Sequence, residues 1–263
     1  ALEAFAEIEP GSPMIDGMRQ WLVIQRQAQD WGSDQQLAEV VYVILSSGSD
    51  WTVADTPASF SLDGRPISIP ARDRITGSFT VSLDSRMASG AELSIVKGRG
   101  HQSWGGVCAR YIAPVADVKA FSESDVSIAK RLLVVDESDN GTTVRELGNS
   151  PLKVGQRIRV ELTVTTARDI DYTTVTDERP GCLAPADQVS RYTWQDGIGY
   201  YREVRNDVTD FFFYRLPRGT FIITYDTFVS QEGEYANGIA TLQSLYAPML
   251  SAHSAGQILT VNR

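Results

Sequence analysis

Ala58-Ser59-Phe60-Ser61-Leu62-Asp63-Gly64-Arg65-Pro66-Ile67-Ser68-Ile69 is the stretch that decides the fold class. Phe60 and Leu62 before the central pair, and Ile67 and Ile69 after it, fall at every second position, the period of a half-buried strand. Asp-Gly suits the two left-handed positions of a type I′ turn, so the segment reads as a β-hairpin. Outward from it the same alternation predicts strands over 77–83, 91–97 and 104–112. A second set follows over 128–135, 142–147, 157–165, 172–176, 200–205, 210–214, 220–228 and 257–261. No helix-period segment intervenes. Short strands separated by Gly, Asn and Asp turns indicate antiparallel sandwiches rather than a doubly wound sheet.

The first fifty residues follow a different period. Ser12-Pro13 reads as a helix start, with Met14, Met18, Trp21, Leu22, Gln25 and Ala28 forming one mainly apolar stripe and Trp31-Gly32 ending it. Ser33 to Gln36 is a capping-box pattern, Leu37, Val40, Val41, Ile44 and Leu45 make a second stripe, and Gly48 is placed to close that helix. Two such helices cannot form a core alone and read as the tail of a larger helical domain. The expected fold is therefore mainly β, antiparallel sandwich domains preceded by a short α-helical segment. The expected boundaries are 1–52 (helices), 53–127 (a β domain) and 128–263 (a complete sandwich).

Composition removes several functions. Among 263 residues, 24 Lys and Arg face 33 Asp and Glu, a net charge of -9 that disfavours a nucleic-acid partner. No apolar run approaches the roughly 20 residues of a membrane span, and no basic leader opens the chain, so it reads as mature or as a fragment. Two Cys and two His cannot make a four-ligand zinc site plus anything else, and no cofactor is expected. Cys108 and Cys182 lie in different expected domains; a disulfide between them would suit an extracytoplasmic protein, but two buried free thiols are the preferred reading.

Individual motifs are better explained by structure than by chemistry. His101-Gln102-Ser103-Trp104-Gly105 lacks the G-x-S-x-G elbow of a serine hydrolase, and His253 is distant in sequence. Asp136 to Gly141 resembles half a calcium loop, but Leu147 stands where a bidentate Glu is required, and Asn140-Gly141 reads as a hairpin turn. Asn140-Gly141-Thr142 also matches a glycosylation sequon, relevant only in a eukaryotic secretory pathway. The carboxylate pairs Asp169/Asp171 and Asp177/Glu178 read as solvated loop residues, and nothing selects a pair facing across a cleft. Tyr200-Tyr201 and Phe211 to Tyr214 put aromatic rings on both faces of their strands, which calls for covering by a partner sheet or another domain. The stretch 235–254 shows no clear period and reads as a long connection lying against something.

Three ordered motifs then resemble a known family. QDGIGYYREVR at 195–205, FFFYRLPRGT at 211–220 and NGIATLQSLYAPMLSAHS at 237–254 resemble the C-terminal macroglobulin-like domain of bacterial alpha-2-macroglobulins. Trp104-Gly105-Gly106-Val107 resembles a strand preceding that domain. The helices carrying Trp21 and Gln25 to Trp31 resemble the last helices of the family's toroid-like, thioester-type domain. The resemblance implies that 53–127 is half of a CUB-like sandwich whose partner strands lie upstream.

The resemblance further implies a non-enzymatic protease trap of the bacterial periplasm or cell envelope, membrane-associated only through a distant N-terminal anchor. Its implied partners are the upstream domains of the same polypeptide and attacking proteases. In thioester-bearing members a Cys–Gln thioester couples to the protease, but this chain has no Cys-x-Glu-Gln motif. The positions implied to cover a thioester, as an interdomain lock, are Leu245 and Tyr246. The competing reading of those two is as ordinary core residues. The competing reading of the whole is an envelope adhesin or ligand-binding sandwich module.

Overall fold

The fold is a computed structural model that describes every residue other than 51–56, 74–76, 85–89, 99–102, 104, 109–111, 124, 139–140 and 149. Its contacts divide the chain into two units, Ala1–Gln20 with Ser33–Tyr111, and Trp21–Gly32 with Ile112–Arg263.

The first unit holds α1 (Leu2–Ile8), the N-terminal half of α2 (Met14–Ala28) and α3 (Asp34–Ser46). Helix α1 was not expected from the sequence. Helix α2 is amphipathic: of the expected stripe, Met18, Leu22 and Gln25 are half-buried and Ala28 is buried, but its first turns present a different face to the interior. Ile15 and Arg19 are buried, whereas Met14 and Trp21 are more than half exposed. Arg19 replaces an apolar side chain because its Nη1 donates to Ser49 O at 2.8 Å and to Asp16 Oδ1 at 3.1 Å. The Ser33 cap forms, with Gln36 N donating to Ser33 Oγ at 3.3 Å, and Gly48 (φ 64) lies just beyond α3. No side chain of α3 is fully buried, and Val41, Tyr42 and Leu45 stand exposed.

The hairpin of β1 (Ser59–Leu62) and β2 (Arg65–Pro66) turns at Asp63 (φ 48) and Gly64 (φ 74), both left-handed as a type I′ turn requires, and β3 (Leu93–Val96) pairs on its other side. Residues 77–83 are not in a strand. Of the expected strand 104–112, residues 105–108 and 112 are described and are not in a strand, while Trp104, like His101, lies outside the described residues.

The second unit is the larger β structure. One five-stranded sheet runs β10 (Leu183–Pro185), β14 (Gly219–Val229), β8 (Arg157–Thr166), β5 (Val126–Ser138) and β6 (Gly141–Glu146). A seven-stranded sheet runs β11 (Arg191–Gln195), β12 (Ile198–Val204), β13 (Val208–Leu216), β9 (Ile170–Glu178), β16 (Ala240–Ser244), β17 (Ser251–His253) and β4 (Phe121–Ser122). Every pairing in these two sheets is antiparallel. A small third sheet joins β15 (Gly233–Asn237), β18 (Gln257–Asn262) and β7 (Leu152–Lys153). All eight strands expected between 128 and 261 are present. The stretch 235–254 is not a connection: it contributes to β15 and contains β16 and β17, strands too short for their alternation to stand out.

Alternate side chains of β8 point inward, so Ile158, Val160, Leu162 and Val164 meet Phe211, Phe213, Val175 and Leu242 from the facing sheet in one core. That core also encloses charge. Asp177, expected on a solvated loop, is fully buried on β9. Lys130 Nζ on β5 reaches Asp177 Oδ1 at 2.6 Å, and Tyr225 on β14 donates its hydroxyl to Asp177 Oδ2 at 2.5 Å. Lys130 Nζ also donates to Glu178 O and Gly238 O, at 2.8 and 2.9 Å. Burial pushes the Asp177 carboxyl up, against the pull of Lys130, Tyr225 and Arg179. Burial, then the neighbouring Asp177, pushes the Tyr225 phenol up as well. A carboxylate of one sheet is thus clasped by a cation and a phenol of the other.

Cys182 is buried, whereas Cys108 is exposed, a correction to its expected burial; both are free cysteines. Replacing Lys130 with Met leaves Asp177 buried without its counter-ion, an expected loss of about 3–5 kcal/mol in urea unfolding. The double variant Lys130→Met, Asp177→Leu is expected to recover most of that loss, because no unpaired charge then remains.

Candidate functional site

The outer face of the seven-stranded sheet carries the exposed aromatic rings. Period two sends Tyr200, Phe211 and Phe213 inward, and leaves Tyr201, Phe212 and Tyr214 outside. The inner rings are covered by the partner sheet, as the sequence required; the outer ones are not. Cross-strand register aligns Tyr192 with Tyr201 and Tyr201 with Phe212. Trp194 lies over Gly199 on the neighbouring strand, so closely that a Cβ there would sit 2.9 Å from the indole.

At one end of this face three tyrosines meet. Tyr172 on β9 packs edge-on against Tyr214 of β13 at 5.0 Å between ring centres, and against Tyr246 at 5.1 Å. Tyr246 belongs to the turn after β16, which is closed by its own hydrogen bonds. Leu245 N donates to Tyr172 O at 2.9 Å, Ala247 N to Ser244 Oγ at 3.3 Å, and Ser244 N to Leu250 O at 3.0 Å. Ala247 and Leu250 anchor the turn in the core. Leu245 and Tyr246, 56% and 72% exposed, project from it and are not core residues.

The C-terminal half of α2, which belongs to this unit, comes to the same place. Ala28 is buried in the core cluster, Gln29 Nε2 donates to Asp169 O at 3.2 Å, and Asp30 N donates to Asp171 Oδ2 at 2.8 Å. Arg26 Nη1 closes the last turn on Gln29 O at 3.2 Å. Asp169 and Asp171, expected only to solvate a loop, therefore receive a helix end. Asp169 is also bound by Arg215 and by Arg218 N, the first of which does most to hold its carboxyl below the usual range. Between helix end and sheet lies a cleft of about 240 Å³ lined by Arg26, Gln27, Ala28, Gln29, Asp30, Asp171, Tyr172 and Tyr246.

A second cleft, of about 200 Å³, opens beside Asp187 and Asp226. Asp187 contacts Arg191 and Arg202 at 2.7 and 2.5 Å, and Asp226 contacts Arg157 and Arg159 at 2.5 and 2.8 Å. Burial opposes ionisation of Asp226, but the arginine hydrogen bonds outweigh it and lower its pKa; a backbone hydrogen bond from Val189, then Arg202, lowers that of Asp187. Carboxylates so held are ion-pair anchors, unsuited to donating a proton near neutrality. His253 stacks on Phe121 at 5.7 Å and its Nδ1 lies 3.1 Å from Ser254 O. Among the described residues no group of three metal-ligating side chains converges. The arrangement beside Tyr246 combines a hydrogen-bonded turn, three rings and a docked helix end.

Residues 126–248, which span that turn, match the bacterial alpha-2-macroglobulin MG10 domain. This segment is similar to that domain. A trypsin-activated alpha-2-macroglobulin from Escherichia coli is similar over 100% of this chain and 18% of its own, with 14% identity and a TM-score of 0.50. The elastase-activated Escherichia coli protein is similar over 100% of this chain and 23% of its own (13% identity, TM-score 0.49), and a tyrosine-to-glycine mutant from Salmonella over 100% and 16% (18% identity, TM-score 0.45). The chain thus spans less than a quarter of these proteins. Comparison with curated proteins gives no match.

The sequence singled out Leu245 and Tyr246 of this MG10-like segment but missed Tyr172, Asp171 and Tyr214 beside them. Only the exposed parity of Tyr214 hinted at it. The Tyr172 phenol is pushed from its ordinary 10.0 up to about 12, chiefly by its hydrogen bond with the Tyr214 hydroxyl. A raised phenol pKa favours the folded state below pH 10.0, and that contribution disappears as pH rises through about 12. In a phenolate absorbance titration, Tyr214→Phe is expected to return this group towards the ordinary value.

Proposed function

We propose that this chain is a non-catalytic part of a protease-trapping alpha-2-macroglobulin-like protein, serving as scaffold and as conformational lock. The observation that carries the reading is the turn at Leu245-Tyr246 in the MG10 domain, which is anchored from below by Ala247 and Leu250 and holds two large apolar side chains in the open. Exposed side chains on a rigid support suit a contact that must be made and later released. Covering one such side chain contributes roughly 1.5–3 kcal/mol, enough to keep a seam closed and little enough to be overcome by a rearrangement.

In this reading 1–52 are the terminal helices of a toroid-like helical domain, 53–127 belong to a CUB-like β domain, and 128–263 are the macroglobulin-like sandwich. The exposed apolar side chains of α3 support the first assignment, because a helix without a buried residue needs further neighbours. The two Escherichia coli proteins are described as activated by trypsin and by porcine elastase, which supports proteases as the targets here. The setting is the periplasm or cell envelope, with any membrane attachment through a distant N-terminus. Upstream domains of the same polypeptide are the partners of Leu245 and Tyr246.

The uncovered rings of Tyr192, Trp194 and Tyr214 favour a second reading, an envelope adhesin that binds a ligand on this face. Protease treatment of the full-length protein separates the two. A trap is expected to retain the protease and to shield it from large substrates while small ones are still cleaved. Tyr246→Ala is expected to loosen the contact between helical and macroglobulin-like domains and so raise protease sensitivity before any bait cleavage. Absence of protease retention, with the variant indistinguishable from the parent, overturns the reading.

A further inference from the structure

We infer that Tyr172 is the positioning residue of this seam: it seats the last turn of α2 on the sheet and holds Tyr246 in place beside it. Three non-glycine residues have a left-handed backbone among those described, Asp63, Asp196 and Tyr172. The first two are aspartates in turns, where short polar side chains tolerate that conformation. Tyr172, at φ 53, is a bulky residue inside a strand, where such a backbone persists only if its surroundings impose it.

The consequence is visible in β9. From Thr173 onward burial alternates, with Thr173, Val175 and Asp177 inside and Thr174 and Thr176 half-buried, but between Ile170 and Thr173 two successive residues, Asp171 and Tyr172, are both half-buried. The left-handed residue shifts the strand's phase by one. In an unbroken alternation Asp171 would share the inner parity of Thr173. With the shift, neighbours in sequence serve one place. The Asp171 carboxylate takes the Asp30 amide at 2.8 Å, while the Tyr172 ring stands between Tyr214 and Tyr246 and its carbonyl takes the Leu245 amide at 2.9 Å. One strained residue thereby touches the helix-end cleft, the supporting sheet and the turn that carries Tyr246.

A residue kept only for stability and a residue kept for the seam respond differently to Tyr172→Gly. Glycine adopts the same backbone without strain, so it retains the phase shift and removes only the ring. The expected result, in the 263-residue chain, is an unchanged or higher melting temperature together with amide exchange at residues 26–30 faster by about tenfold, the sheets keeping their protection. Tyr172→Phe keeps the ring and is expected to keep those amides slow. Asp171→Ala, which leaves the backbone alone, is expected to speed them as the glycine does. If Tyr172→Gly leaves residues 26–30 as protected as in the parent, or speeds exchange equally throughout both sheets, the inference is overturned.

The importance of the seam rests on the lock reading, but the exchange experiment contains no protease. Intact protection with failed trapping counts against the lock alone, and lost protection at residues 26–30 supports the positioning role whatever the trap does.

Discussion

Asp177 is a fully buried carboxylate, and the placing of everything on its strand follows from how that charge is accommodated. An ion in an apolar interior must be paired and hydrogen-bonded or it neutralises. Here its partners come from the opposite sheet, Lys130 on β5 and Tyr225 on β14. A slip of β9 by one residue would turn Asp177 out of the core and strand the Lys130 ammonium inside it. The clasp therefore ties the register of the seven-stranded sheet to that of the five-stranded one more tightly than interchangeable Val, Ile and Leu side chains could.

The seam lies on the same strand. Counting back from Asp177 by twos gives the inward Val175 and Thr173, and the residues between them face out toward the aromatic surface. At Tyr172 the count breaks, and Asp171 and Tyr172 both become available to the end of α2. The interior clasp and the surface site are thus two ends of one β-strand, one fixed by charge and the other displaced by a left-handed residue. This arrangement leaves Tyr246 exposed on a turn anchored in the core by Ala247 and Leu250.

The candidate site was legible in the sequence only through its turn. Leu245-Tyr246-Ala247-Pro248 stood out by resemblance, and the alternation of Phe211 to Tyr214 put rings on both faces of the strand without telling which would be inside. Asp169, Asp171 and Asp177 looked alike, as acidic residues near turn-forming neighbours, yet one became a buried counter-ion and two received a helix end. Burial and partnership are set by residues more than thirty positions away, such as Lys130 for Asp177 and Asp30 for Asp171, and a window of local sequence contains neither partner. The stretch 235–254 was misread for a related reason: strands of three to five residues carry too few alternations to be separated from loop.

What the sequence alone determined is the set of long strands, the two principal helices, the Asp63-Gly64 turn and the mainly β class. All of these follow from local rules of side-chain period and backbone preference. The tertiary structure alone decided which face of α2 is buried, how the strands order into two sheets, where the charged side chains pair and that Tyr172 takes a left-handed backbone. These depend on contacts between segments far apart in the chain, whose energies no single segment contains.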